Sequence, residues 1–150
     1  MRPLIALAAL AALATFAITP AAASCPAGMK TYLNCTAKGG KKRIVLCAGK
    51  RGIRYVYGPV RGKPELRLDR PLSAVKHTPW RGVGRSIWED VRFSNGGYDY
   101  TVAISRDRMK LGEPYGAVFV EKGGREVARV ECDPGRIKLK LWLFDDLDVK

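Results

Sequence analysis

The chain has 150 residues, with 27 Lys or Arg against 14 Asp or Glu, one His and a formal net charge of +13. Hydrophobic residues make up 47% and charged residues 27%, which excludes a disordered polyelectrolyte and suits one domain with its own core. The charge exceeds the net ~2–8 that solubility alone asks of a small domain.

In chain order, the first feature is residues 1–23. Arg2 precedes an apolar run from Pro3 to Ala14, and Ala21-Ala22-Ala23 supplies small residues for cleavage. That pattern is a secretory signal peptide, and the run is too short and Ala-rich for a membrane span of ~20 strongly apolar residues. It predicts a periplasmic or secreted protein with a single domain over 24–150. All four cysteines, Cys25, Cys35, Cys47 and Cys132, lie beyond the signal. An even number in an exported chain predicts two disulfides, with three pairings open. A lipid anchor through Cys25 is also open, although Ala22 stands where lipoprotein signals usually place Leu. No C-x-x-C occurs and His77 is the single histidine, so no metal or cofactor is expected.

Beyond the signal, the apolar segments are short, rich in β-branched and aromatic residues, and bounded by glycine. Met29 to Cys35 and Lys41 to Cys47 predict a hairpin across Lys38-Gly39-Gly40. Gly49-Lys50-Arg51-Gly52 turns the chain into Ile53 to Tyr57, and a short alternating segment covers Glu65 to Asp69. Residues 70–83, with Pro71, Pro79 and Gly82, read as the longest irregular connection. A two-residue turn at Asn95-Gly96 pairs Phe93 with Tyr98 and sets Arg92 opposite Asp99; shifting it to Gly96-Gly97 keeps the faces and loses that charge pair. Gly116 to Glu121 and Glu126 to Cys132 flank Gly123-Gly124 as another hairpin. After Asp133-Pro134-Gly135, Ile137, Leu139, Leu141 and Leu143 alternate with Lys138, Lys140, Trp142 and Phe144, which fits a last strand better than a helix. The sum is an all-β fold, a single small antiparallel barrel or sandwich of about eight strands in meander order.

The charge is unevenly spread. Residues 30–88 hold fifteen Lys or Arg and only Glu65 and Asp69 as acids, a net of +13, while residues 89–150 net −1. Such a field attracts anionic glycan, lipid head groups or acidic protein; export argues against nucleic acid. Two motifs concentrate it. Trp80, Arg81, Arg85 and Trp88 sit among glycines in Pro79 to Trp88, where forked guanidinium groups and indole rings suit an anionic ligand. Lys41, Lys42 and Arg43 follow a Gly-Gly turn. The plain alternatives are turn formers and an outer-face Trp in the first case, and a solvated turn in the second.

The catalytic inventory is poor, so no enzyme is expected. Glu89 and Asp90 are adjacent and on a strand point to opposite faces, which rules out a joint acid–base role. An enzymatic reading needs His77 beside an acid in a pocket.

The series Cys35, Lys41 to Cys47, Tyr55-Val56-Tyr57-Gly58 with Glu65-Leu66, and Val91 to Tyr98 with Tyr100 resembles a group of uncharacterised small periplasmic β-proteins of bacteria. More distantly, Tyr32-Leu33-Asn34-Cys35 and Val130-Glu131-Cys132 are similar to the first and last strands of the periplasmic inhibitors of C-type lysozyme. That resemblance implies an eight-stranded barrel closed by Cys35–Cys132, leaving Cys25–Cys47, and offers inhibition of a lysozyme-like or other foreign hydrolase as the alternative function. The inhibitors' Ser-Gly-x-x-Tyr loop is not found, and a cationic chain would repel a cationic lysozyme.

Overall fold

The computed structural model describes residues 25–109 and 112–147; the signal segment 1–23 lies outside them. Nine strands form: β1 (Lys30–Ala37), β2 (Lys42–Gly49), β3 (Gly52–Pro59), β4 (Leu66–Arg70), β5 (Val75–Thr78), β6 (Ser86–Asn95), β7 (Tyr98–Asp107), β8 (Tyr115–Lys122) and β9 (Arg125–Leu139). Among the described residues the remaining regular structure is two 3-10 turns, Leu72–Ala74 and Asp145–Leu147. All pairings are antiparallel in the order β4-β3-β2-β1-β9-β8-β7-β6-β5. The order is a meander in which the first and last strands become neighbours.

The sheet curls until its two ends nearly meet. Tyr55 on β3 packs on Phe93 of β6 with ring centroids 5.5 Å apart, and Phe93 stacks on Tyr100 of β7. The edge strands β4 and β5 leave a seam between them, although only residues 71–74 separate them in the chain. Arg70 crosses this seam: its Nε–H donates to the Ser94 carbonyl at 3.1 Å, and its Nη2 to Asn95 Oδ1.

Alternation assigns the faces. Inward rows run Leu33–Leu46–Tyr55–Leu68 and Cys35–Ile44–Tyr57–Leu66 across β1 to β4. They build a continuous core with Val91, Phe93, Val102, Ile104 and Val118 from the other half. The Cys35–Cys132 disulfide lies inside, joining β1 to β9, while Cys25–Cys47 ties the N-terminal segment onto the outside of β2. The resemblance implied these pairs. Because the Cys25 sulfur is held in a disulfide, it is not free to carry the lipid thioether that the sequence left open. Gly116 faces the inner bridge so closely that a Cβ there would lie 2.9 Å from both Cys132 Sγ and Leu33 Cδ1.

Three expectations need correction. The irregular stretch 70–83 contains β5; a four-residue strand gives too little alternation to outweigh Pro71 and Pro79. The β6–β7 turn is Gly96-Gly97, with Asn95 opposite Tyr98 and Phe93 opposite Tyr100. Both glycines take positive φ, 58° and 79°, as a primed turn demands, and this leaves Asn95 free to receive Arg70. Arg92 still reaches Asp99 diagonally at 3.1 Å and also binds Glu121. Finally, the last strand ends at Leu139. Residues 141–147 fold back as a plug in which Leu143 and Phe144 are both buried, so their alternation is not that of a strand. Phe144 meets Tyr32 edge-on at 5.0 Å.

Candidate functional site

The predicted site residues fall into two separated groups. Trp80, Arg81 and Arg85 lie in the loop between β5 and β6, which follows the strand end where His77 meets the plug. Its parts are fixed from within: Trp80 Nε1–H donates to the Val83 carbonyl at 2.9 Å, Arg108 stacks over the Trp80 ring at 5.5 Å, and Arg85 Nε pairs with Asp107 at 2.8 Å. Val83 is 79% exposed, Arg81 is exposed, and Trp88 stands half-exposed on the outer face of β6. Lys41 lies in the β1–β2 turn, and Lys42 and Arg43 open β2 opposite Ala37 and Thr36, at the end of β1 away from Tyr32 and the plug. The structure therefore does not unite the two groups into one site.

It brings Arg43 to residues the sequence did not nominate. On the outer face, Lys138 of β9 pairs with Asn34 of β1, and the same row continues through Val45 and Val56 to Arg67 on β4. The next row sets Thr36 beside Arg43 and Gly58, and on the other side Cys47, Arg54 and Asp69 align. Arg136 borders the same groove. Asp69 is clamped by Arg54 at 2.6 Å and Arg67 at 3.5 Å; the hydrogen bond from Arg54 is the main reason its carboxyl titrates below the usual range. Lys42 is held by Glu65 and lies over the Tyr57 ring, whereas Lys41 is exposed.

Between β1 and β9 the register jumps from Cys35 opposite Ile137 to Ala37 opposite Cys132. The extra residues on β9 bulge outward. At the bulge, Asp133 accepts from the backbone N–H groups of Gly39 and Gly40 at 2.9 and 2.7 Å, which anchors the basic turn. Those two bonds, Gly39 first, hold the Asp133 carboxyl low, with Thr36 and Arg136 contributing. The result is a groove of about 470 Å³ bordered by Asn34, Thr36, Arg43, Gly135, Arg136 and Lys138. At its wall the Arg43 Nε is buried with no hydrogen-bond partner among the described residues.

A second polar cluster lies inside. His77 Nε2 is 2.9 Å from Glu89 Oε2, and Glu89 also accepts the backbone N–H of Trp142, a residue held at φ 58°. Asp145 approaches His77 Nδ1 at 3.7 Å. Burial raises the Glu89 carboxyl against the opposing pull of the Trp142 N–H and His77. Burial also raises the Tyr32 phenol, whose oxygen has no hydrogen-bond partner. The acid that an enzymatic reading required beside His77 is thus present, but the two side chains are only 1% and 3% exposed. The pair braces the plug, Glu89 through the Trp142 N–H and His77 through the Phe144 ring 5.4 Å away. Glu89 and Asp90 do face opposite sides, Glu89 buried and Asp90 half-buried.

Comparison with known proteins finds no matching family, no matching curated protein and no matching solved structure.

Proposed function

We propose that this is an exported, non-enzymatic binding protein whose basic half engages an anionic component of the cell envelope, a glycan or a lipid head group. The observation that carries this reading is the outer face of β9-β1-β2-β3-β4. Arg136, Lys138, Arg43, Arg54 and Arg67 share it, with Asp69 between Arg54 and Arg67 and Asp133 near Arg136 as the acids set among them. The two disulfides agree with an oxidising compartment. Exposed charges of this kind act over a screening length of ~8 Å at physiological ionic strength. Binding to vesicles of anionic lipid, or to an acidic polysaccharide, is expected to weaken steeply as salt rises. Affinity that stays constant with salt, or equal binding to neutral vesicles, refutes the reading; capture of acidic proteins alone moves it to a protein partner.

The Trp80–Arg85 loop supports a second reading, inhibition of a foreign hydrolase such as a lysozyme. Its internal bonds hold the exposed Val83 outward, and inhibitors gain affinity from rigid protruding loops. A panel of peptidoglycan hydrolases assayed with the purified protein decides it, and no inhibition at micromolar concentration removes it.

A further inference from the structure

We infer that the groove at the β9 bulge is a discrete seat for one phosphoryl group, with Arg43 as its principal ligand. The inference rests on the anionic-binding reading above and narrows it from a charged face to a single site.

The argument begins with Arg43. Its place on β2 opposite Thr36 and Gly58 puts it on the outer face beside the bulge, where its Nε is buried without a partner. A buried donor without an acceptor is costly, the more so when it belongs to a charged group. The other arginines on this face differ: Arg54 and Arg67 have Asp69. Arg43 therefore keeps a directional donor for an incoming acceptor.

The groove around it is cationic. Arg136 and Lys138 flank it, Thr36 offers a hydroxyl, and Asn34 lies on its floor. The nearest acid, Asp133, spends both oxygens on Gly39 and Gly40, which ties the turn down and fixes the bulge. Two guanidinium groups and one ammonium converging on a concave site suit a compact oxyanion that accepts several hydrogen bonds at once. A volume of about 470 Å³ leaves space for a substituent, so a phosphate monoester fits as well as the free ion. The group can come from a lipid head group or from a soluble phosphate ester.

The test uses the disulfide-bonded protein and charge-conserving variants. Lysine keeps the charge of arginine but lacks the forked N–H geometry. Titration with inorganic phosphate, followed by amide chemical shifts, is expected to saturate and to move residues around 34–43 and 135–138. Arg43→Lys should weaken phosphate binding by about tenfold, the loss of a charge-assisted hydrogen bond, and Arg92→Lys, on β6 and paired with Asp99 and Glu121 away from this face, should leave it unchanged. Should Arg43→Lys fail to fold, Arg136→Lys on the bulge provides the same contrast. Vesicles containing phosphatidic acid form the second arm. Tighter binding there than to free phosphate, lost in Arg43→Lys, identifies a lipid source; equal binding identifies a soluble ester. Salt-dependent binding to anionic vesicles without saturable phosphate binding overturns the seat while leaving the charged face. Equal loss in Arg43→Lys and Arg92→Lys also overturns it. Binding to neither probe overturns both readings.

Discussion

Replacing Cys35 and Cys132 together by alanine tests how this barrel is held closed. The bridge joins residues separated by 97 positions, against 22 for Cys25 and Cys47. In the chain-entropy treatment, constraining the unfolded chain over those spans contributes about 4.7 and about 3.4 kcal/mol at 25 °C. The inner pair is buried and the Cys132 sulfur lies against Gly116, so its removal also empties core volume and adds to the loss. The outer bridge holds only the N-terminal segment to β2. Against a typical total of ~5–15 kcal/mol, the inner bridge carries from about a third to nearly all of the stability. Urea unfolding of the two double-alanine variants, at one pH and with slopes compared, is the assay. The Cys35/Cys132 variant should have the lower midpoint or be unfolded without denaturant. An equal or larger loss in the Cys25/Cys47 variant would refute the argument that loop span and core position decide the ranking.

Glu89→Gln should change how stability depends on pH. The raised carboxyl of folded Glu89 makes its contribution complete below the ordinary value of 4.5 and lost as pH rises through its folded value. The wild type should therefore lose ground to Glu89→Gln from pH 4.5 upward, and a gap between their unfolding midpoints that is constant with pH contradicts the assignment. Phe144→Ala should cost about 3–5 kcal/mol as a buried aromatic deletion, read by chemical denaturation; a loss below 1 kcal/mol means that the plug does not support the core. Gly116→Ala forces a methyl against Cys132 and Leu33 and should lower stability by about 1–3 kcal/mol through overpacking, whereas an unchanged melting temperature shows that β8 can move outward.

The alternation of inner and outer residues was legible wherever strands were long. It gave the β1–β2 and β8–β9 hairpins and the opposed faces of Glu89 and Asp90. What failed was set by distant partners. Nothing local distinguishes Asn95-Gly96 from Gly96-Gly97 as the turn; the observed choice joins two positive-φ glycines and frees Asn95 for Arg70, twenty-five residues away. The Leu141 to Phe144 pattern looked like a strand because both outcomes bury apolar residues, and only the barrel's open end makes a plug the better burial. Arg43 was visible as part of a basic turn. Lys138 was visible only in the polar half of an alternation and Arg136 was not singled out, because their meeting with Arg43 depends on β9 pairing with β1 across nearly the whole domain. The His77–Glu89 contact was equally hidden, since a short strand broke the expected loop.

The unclosed seam has a consequence for how the molecule behaves in a crowded compartment. An unpaired strand edge is a template on which another chain can add a strand. Here the two exposed edges belong to the shortest strands, five residues in β4 and four in β5, so an intruder gains few rungs of hydrogen bonding. Arg67, Asp69 and Arg70 on one edge and Lys76 on the other would bring charge into any such ladder. Arg70 also bridges the gap to the β6–β7 turn. The barrel thus leaves itself open where recruitment into fibrils is least rewarded, and its long, regular strands are all satisfied within.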